Sequence, residues 1–336
     1  MLRILKKVFT SAKDIHDTEI RITQEKPDFK SLKKKNVMMI DMHVHTRFSD
    51  SYSRVGKILS KAEKLGIGVA ITDHNEIQGV LRASEIKSAV PVIPGIEVGT
   101  LEGPHVLVYF TEIFDIIDFY ERYIAPFKNA DPFTNTSVSI KDLVVSASRY
   151  DSLVSVAHPF SHAYTNVPRS IMNGITDPSF FDYVDAVEVL NGAISKNRNK
   201  NAAEFAKALH MRYTGGSDSH SLFEIGSIVT CAKAGSISEF LASIKNGRNS
   251  VIGKPVGRVK RVPSLAKLSH KHMQYLVPAM CRQMEAYLCG EMDYEETIIA
   301  HKIDMIKTEG HHFFTQKIHM PQGWRRENKK SAFKYF

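Results

Sequence analysis

The segment from Ile40 to Asp50 carries two histidines two residues apart and a carboxylate five residues after the second histidine. Alternate side chains of an extended strand point to the same face, so His43 and His45 would direct two imidazoles at one point. Two imidazoles so placed suit a borderline metal ion. A single His-x-His pair is also compatible with histidines that are merely solvated or hydrogen-bonded at a strand end. The rest of the chain must therefore decide between the two interpretations.

The same pattern, a short apolar run next to a histidine or carboxylate and a turn, recurs along the chain. The further polar residues beside such runs are Asp73, His74, Glu97, His105, His158, Asp218 and His220. Helical patterns at residues 55–65 and 201–209 lie between these runs. Strands alternating with helices indicate an α/β parallel sheet or barrel, in which functional side chains collect at the carboxyl ends of the strands. Charges buried there must be paired or bind metal.

Taken together, these motifs resemble those of the PHP (polymerase and histidinol phosphatase) family of metal-dependent phosphoesterases. The resemblance extends over residues 37–257 and rests on the order and spacing of all the motifs rather than on any one of them. It implies an α/β fold, a distorted (β/α)7 barrel of the PHP type. It also implies three divalent metal ions, for which a mixed nitrogen and oxygen ligand set suits zinc, manganese or iron.

The resemblance assigns each metal ion its ligands. The first metal would be held by His43, His45, Glu97 and Asp218. Glu97 would bridge to a second metal, completed by His105 and His158. The third would be held by Asp50, His74 and His220. No position of the ligand set is missing, although His105 is its weakest member because it begins a strand rather than ending one.

Clustered divalent ions lower the pKa of a bound water and neutralise phosphoryl oxygens. We therefore expect hydrolysis of a phosphate ester by a metal-bridging hydroxide, with a small phosphorylated metabolite or nucleotide as substrate. Asp218 or His220 would act in catalysis by protonating the leaving group. Lys196 and Arg198, expected in a strand-end loop, would bind a second anionic group of the substrate. Ordinary surface charge remains the alternative for these two residues.

Three other functions stay open at this point. The first is a nuclease-like phosphodiesterase that acts on single-stranded nucleic acid. The second is a metal-stabilised binding or scaffold module, against which the complete ligand set counts. The third is hydrolysis of a non-phosphate ester or amide, because a metal hydroxide is not inherently selective for phosphorus.

The basic residues are concentrated outside the region of resemblance. The formal charge is +9, yet residues 1–36 hold ten Lys/Arg against five Asp/Glu and residues 258–336 hold fourteen against eight, so residues 37–257 carry −2. We therefore expect a basic N-terminal arm (1–36), a PHP metal-dependent phosphoesterase domain (37–257) and a basic, mainly helical C-terminal extension (258–336). The flanks can bind nucleic acid, but a solvated charged face is the simpler interpretation.

The composition also bounds the setting of the protein. No apolar run reaches the length that a membrane-spanning helix requires, so no membrane span is expected. Cys231, Cys281 and Cys289 form no zinc or disulfide pattern, and free thiols fit a reducing, cytoplasmic environment. The C-terminal helices are expected to pack on the barrel or to form an oligomer.

Overall fold

A computed structural model describes residues 20–129, 135–161 and 165–256. Its strands are β1 (Ile22–Thr23), β2 (Met38–Val44), β3 (Gly68–Ile71), β4 (Val92–Gly99), β5 (His105–Phe110), β6 (Ser152–Val156), β7 (Ala186–Asn191), β8 (Arg212–Gly216), β9 (Ile228–Ala232) and β10 (Asn249–Gly253). Its α-helices are α1 (Phe29–Lys34), α2 (Val55–Leu65), α3 (Gln78–Ser84), α4 (Ile113–Tyr123), α5 (Ile140–Ala147), α6 (Val167–Met172), α7 (Lys196–Ala208) and α8 (Ile237–Lys245). Two short 3-10 segments span Ala125–Phe127 and Pro178–Tyr183.

The described strands form one curled sheet in the order β1-β10-β9-β2-β3-β4-β5-β6-β7-β8. Strands β2, β3 and β4 are parallel neighbours, as are β6, β7 and β8, whereas β5 is antiparallel to both β4 and β6. The segment after β8 returns to β2: His45 donates its backbone N–H to Ser219 O at 3.1 Å, and Ser219 N–H donates to His43 O at 3.3 Å. The sheet therefore closes on itself, and the predicted distorted PHP-type barrel is confirmed.

Apolar side chains fill both faces of this sheet, as expected where helices cover parallel strands. One cluster lies between the sheet and helices such as α2, which buries Val55, Ile58 and Leu59. A second cluster draws on seven strands and on helix α8. Across its interior the Tyr109 hydroxyl of β5 donates to the Met42 carbonyl of the non-adjacent strand β2 at 2.9 Å. The interior of the barrel is thus a packed core below the strand ends.

The N-terminal segment contributes to this framework from residue 20 onward. Ile22 pairs in parallel with Val251 of β10, so two residues of the predicted arm extend the sheet. The domain boundaries at residues 36 and 257 stay predictions. The predicted C-terminal helices, with Cys281 and Cys289, lie outside the described residues, and Cys231 is a buried free thiol. Within the described ranges, no helix combines the length and apolar character that crossing a membrane requires.

Gly216, at the end of β8, lets the backbone of β8 pass close to β2. A Cβ atom there would lie 2.5 Å from the backbone nitrogen of His43, a separation that forces the strands apart. We expect Gly216→Ala to lower the free energy of unfolding by about 1–3 kcal/mol, the usual cost of overpacking. Thermal or urea unfolding of the purified protein measures this loss.

Gly56→Ala is the matched control, because a Cβ at this position of helix α2 meets nothing closer than 3.8 Å. Replacing a helical glycine by alanine there should be neutral or stabilising by up to about 1 kcal/mol. Equal stabilities of the two variants would contradict the role assigned to Gly216.

Candidate metal centre

The carboxyl ends of the parallel strands meet at one edge of the barrel, and the predicted ligands collect there. All nine predicted ligands make ring-nitrogen to carboxylate-oxygen contacts with one another at 2.8–3.8 Å. Six of these side chains are imidazoles and three are carboxylates. The structure therefore brings together every residue that the sequence proposed as a metal ligand.

Glu97, fully buried at the end of β4, lies at the centre of the cluster. Three ring nitrogens surround its Oε2 atom at 3.1–3.3 Å, those of His43, His45 and His74. Its Oε1 atom lies 3.0 Å from His105 Nδ1 and 2.9 Å from His158 Nε2. A single carboxylate thus contacts five imidazoles, an arrangement suited to a bridging ligand.

His105 reaches this edge because β5 is antiparallel to its neighbours. Gly99, the last residue of β4, pairs with His105, the first residue of β5. The start of β5 therefore lies where β4 ends. This explains how a histidine at the beginning of a strand joins ligands that follow the ends of other strands.

A second focus of the cluster surrounds Asp50 in the loop after β2. Asp50 Oδ2 lies 2.8 Å from His220 Nε2 and 3.5 Å from His74 Nε2, and its Oδ1 lies 3.4 Å from His45 Nδ1. One ligand atom from each of these four residues lies within 4.8 Å of the others. These four residues therefore form one group of possible donors, which contains the three residues that the resemblance assigns to the third metal and His45 in addition.

Two further groups also have ligand atoms that lie within 4.8 Å of one another, and both groups share residues with the first. They consist of His43, His45 and Asp218, and of His74, Glu97 and His105. His45 and His74 each belong to two groups. The donor groups consequently overlap rather than forming three independent sets.

A buried ring nitrogen without a hydrogen-bond partner tests whether this cluster fits a metal. His45 Nε2 has no hydrogen-bond partner, although Glu97 Oε2 and Asp218 Oδ1 both lie 3.3 Å away. His158 Nδ1 is a second buried nitrogen without one. Nitrogen and oxygen donors converging around an unsatisfied imidazole are the chemistry that zinc, manganese or iron ions use. The residues present fit metal ions.

Burial and mutual charge set the protonation of the histidines. Burial lowers the pKa of His45, but the charge of Asp50 and the nearby carboxylates of Asp218 and Glu97 outweigh burial and raise the pKa to about 10. For His74 burial dominates and lowers the pKa to about 4. Without metal, the cluster therefore holds protons at some imidazoles and leaves others neutral at neutral pH.

The three carboxylates show the complementary behaviour. Burial by itself raises the pKa of Asp50, Glu97 and Asp218, because it disfavours the charged form. The surrounding imidazoles outweigh that effect and hold each pKa well below its ordinary value. All three groups are consequently ionised and ready to act as ligands.

Two of the ligands sit on strained backbone directly after their strands. His158 has φ = 25° and Asp218 has φ = 50°, in the left-handed region that side chains other than glycine rarely adopt. Non-glycine residues of this kind persist only where their surroundings over-determine the conformation, and they cluster at functional sites. The positive φ angles at these two turns therefore agree with a functional site at the cluster.

Two buried carboxylates, to which the sequence analysis assigned no role, contact the candidate ligands or residues next to them in the sequence. Asp73 accepts from the Thr46 backbone N–H at 2.7 Å and from the Ser49 hydroxyl at 2.5 Å. Glu188, inside strand β7, lies 3.0 Å from His43 Nδ1. The available signal was a charged residue within an otherwise apolar run, Val187-Glu188-Val189. Asp73 immediately precedes His74 and had no separate signal.

Lys196 and Arg198 do not lie in a loop, as the sequence predicted, but in the first turn of helix α7. Ser195 caps this helix in extended conformation, so the helix begins earlier than the apolar pattern at 201–209 indicates. Lys196 is exposed, whereas Arg198 is partly buried and its Nη1 atom lacks a hydrogen-bond partner. In the described part of the chain, neither contacts a predicted ligand by hydrogen bond or ion pair.

Comparison with known proteins agrees with this geometry. The sequence-family model described as PHP domain matches residues 41–195, and a second family model described as PHP-associated matches residues 196–249. An uncharacterized protein of Methanocaldococcus jannaschii is 27% identical over 194 residues, which cover 56% of this chain and 68% of that protein.

Two solved structures resemble the fold at low sequence identity. The lesion-specific endonuclease PfuEndoQ of Pyrococcus furiosus aligns with a TM-score of 0.52 and 20% identity, over 64% of this chain and 57% of that one. PsfC of Pseudomonas syringae aligns with a TM-score of 0.48 and 19% identity, over 72% of this chain and 99% of that one. At 20% identity, the likeness to PfuEndoQ concerns the fold alone.

The protonation of His45 leads to a testable consequence of metal binding. A metal ion requires an unprotonated ring nitrogen, whereas a pKa of about 10 keeps His45 protonated near neutral pH in the metal-free protein. We therefore expect Mn²⁺ binding at about pH 7.5 to release on the order of one proton or more per chain. Metal and protons compete, so the apparent affinity should rise with pH.

Calorimetric titration in two buffers of different ionisation enthalpy, such as HEPES and Tris, counts the released protons. The observed binding enthalpies in the two buffers should differ by the number of protons released multiplied by the difference between the ionisation enthalpies of the buffers. Identical enthalpies in both buffers would contradict the protonation state assigned to His45.

Proposed function

Because this chain belongs to the PHP family of metal-dependent phosphoesterases, we propose that it hydrolyses a phosphate ester at a three-metal site formed by the clustered histidines and carboxylates. The substrate class that we propose is a small phosphorylated metabolite or a nucleotide. The observation that carries this proposal is the convergence of all nine ligand candidates at one edge of the barrel, with five of the imidazoles around buried Glu97 and His45 Nε2 left without a hydrogen-bond partner.

The proposed ligand roles follow the separate contacts of the cluster. Glu97 would bridge two metals, since its Oε2 faces His43 and His45 while its Oε1 faces His105 and His158. When bound, such ions lower the pKa of a bound water and neutralise the oxygens of a phosphoryl group. Donors held on strand ends keep this geometry fixed, so little reorganisation is needed during the reaction.

The chain also supplies groups for the leaving oxygen. Burial lowers the pKa of His220, but Asp50 outweighs burial and raises it, so the ring can hold a proton near neutral pH in the metal-free protein. Asp218 keeps its Oδ2 on Asn191 and its Oδ1 towards His43 and His45. We assign proton delivery to His220, because Asp218 is ionised and has no proton to donate.

Substrate binding is better supported for Arg198 than for Lys196. A buried donor without a partner costs free energy, and Arg198 Nη1 is such a donor at the start of helix α7. Asn199, next to it, hydrogen-bonds Asn191 at the end of β7. An anionic group of the substrate would satisfy Arg198 close to the edge where the cluster lies.

Replacement of His43 tests the phosphoesterase function. His43→Ala removes a ring that contacts Glu97 and Asp218, and we expect it to reduce Mn²⁺-dependent phosphatase turnover by at least about 10³-fold while the fold is retained. Turnover on a panel of nucleotide and sugar phosphates, together with circular dichroism, provides the measurement.

His210 offers a matched control, because it is exposed and has φ = 52°, which asparagine also tolerates. His210→Asn should keep wild-type turnover. A well-folded His43→Ala variant with undiminished turnover would overturn the proposed function.

Arg198 and Lys196 can be separated by steady-state kinetics. If Arg198 binds an anionic group, Arg198→Ala should raise KM for a substrate carrying a second phosphate or carboxylate by about tenfold or more. The exposed Lys196→Ala variant should change KM by less. Equal KM values of wild type and Arg198→Ala on such a substrate would remove this assignment.

A second candidate, a nuclease-like phosphodiesterase, is favoured by two exposed aromatic side chains. Tyr52 follows Asp50 in one ligand loop, and Phe223 follows His220 in another; the rings are 46% and 47% exposed. Ser51 donates to the His220 carbonyl at 2.9 Å, which joins the two loops. Exposed aromatic rings beside a phosphoesterase site can stack with bases.

Binding of single-stranded oligonucleotides at increasing salt discriminates the two candidates. A nuclease should bind unphosphorylated oligonucleotide with an affinity that falls steeply with salt. A phosphatase of small molecules should show little affinity at physiological salt.

A further inference from the structure

Glu188 is buried in strand β7, is not among the predicted ligands, and connects three of them. Its Oε1 atom lies 3.0 Å from His43 Nδ1. Its Oε2 atom accepts from the backbone N–H of His158 at 2.9 Å and from Asn191 Nδ2 at 2.9 Å. The same Asn191 Nδ2 atom lies 3.2 Å from Asp218 Oδ2 and donates to it.

We propose that Glu188 is the positioning residue for the first and second metals of the site, and that the third metal is supported chiefly through other residues. The inference rests on the three-metal site of the proposed function. It assigns different buried carboxylates to different metals, which the ligand motifs themselves do not indicate.

The first step concerns the ring of His43. An ionised carboxylate can only accept, so the contact with Glu188 places the proton of His43 on Nδ1. When a metal is bound, Nε2 would then offer its lone pair to the ion on the side of the ring where Glu97 Oε2, at 3.1 Å, and Asp218 Oδ1, at 3.8 Å, lie. A carboxylate behind a ligating histidine fixes its tautomer and ring orientation in this way.

The second step concerns the turn that carries His158. Its backbone is strained at φ = 25°, and the N–H of this residue is held by Glu188 Oε2. The turn places His158 Nε2 2.9 Å from Glu97 Oε1, on the side of Glu97 where His105 also lies. Glu188 thus stabilises the conformation that delivers a ligand of the second metal.

The third step concerns Asn191, which carries the influence of Glu188 to Asp218. The Asn191 Oδ1 atom accepts from the Ala193 backbone N–H at 2.7 Å, so its Nδ2 must face the two carboxylates. Asn199 holds the Asn191 backbone from both sides, at 3.0 Å and 2.9 Å. Asp218 is therefore oriented from a rigid support.

The third metal group has a different support. The Ser49 hydroxyl donates to Asp73 and lies 3.4 Å from His45 Nδ1 and 3.3 Å from Asp50 Oδ1. Among the described contacts, Glu188 makes none with Asp50, His74 or His220. Asp73 and Glu188 therefore support different parts of the cluster.

This separation makes a paired experiment possible on the full chain. Glu188→Gln keeps the shape of the side chain but replaces one of its two accepting oxygens with an amide N–H₂ donor. The three groups that contact Glu188, on His43, His158 and Asn191, are then left with a single acceptor atom. Asp73→Asn is the matched change on the other support. Each protein is dialysed against graded free Mn²⁺, and bound metal is counted by mass spectrometry together with the thermal unfolding midpoint.

Where the wild type is saturated, Glu188→Gln should retain about one metal of three, because loss of such outer partners lowers metal affinity by about 10–100-fold. Asp73→Asn should weaken chiefly the third metal, because Asp73 reaches the cluster through Ser49, which lies beside Asp50 and His45. Cobalt absorption spectra should lose different bands in the two variants. Full occupancy with wild-type affinity in folded Glu188→Gln overturns the proposal, as does loss of the same metal in both variants.

Asn191→Ala keeps the test decisive if Glu188→Gln does not fold. It removes the donor shared by Glu188 and Asp218, together with the acceptor of the Ala193 backbone N–H, and it should weaken the first metal by about tenfold. Unchanged metal affinity in this variant overturns the proposal. A wild type that binds no metal contradicts the proposed function itself, whereas metal in the wild type with unaltered variants contradicts only the role of Glu188.

Discussion

Three ionised carboxylates lie almost completely out of water at one end of this barrel, and their need for positive charge constrains the rest of the site. Asp50, Glu97 and Asp218 are each less than 10% exposed. A buried charge is tolerated only when it is paired or bound to a metal, and here the neighbours are imidazoles whose charge depends on their protons. Protons and metal ions therefore compete for the same ring nitrogens. In either case, the fold must hold six histidines around the three carboxylates to balance their charge.

The barrel meets this requirement by bringing distant segments to one edge. Parallel strands place their ends together, and the antiparallel strand β5 adds His105 from its beginning. The strained turns at His158 and Asp218 redirect the chain within one or two residues of a strand end. Strain of this kind costs on the order of 1–3 kcal/mol per residue and has to be offset by surrounding contacts. The hydrogen bonds from the buried carboxylates Glu188 and Asp73 belong to those contacts.

Much of this arrangement could be predicted from local pattern. Helix α2 has the bounds that its apolar period indicates, and every predicted apolar run adjoining a candidate ligand forms a strand. Strands β9 and β10 were not predicted, because their assignment depends on pairing with β2 and with each other rather than on a local motif. The early start of α7 was missed for a related reason: Lys196 to Lys200 are polar and give no apolar period.

Sequence motifs identify residues that can bind a metal, but they do not show which residues belong to two groups of donors at once. His45 lies in contact with Glu97, Asp218 and Asp50 through its two ring nitrogens, and His74 joins Glu97 to Asp50. A ligand that contributes to two groups couples their occupation, since orienting the ring for one ion also orients it for the next. Effects of substitutions at residues in direct contact within such a cluster are consequently not expected to add. The donor groups therefore overlap at His45 and His74 while their supports, Glu188 and Asp73, stay separate, and no single motif encodes that combination.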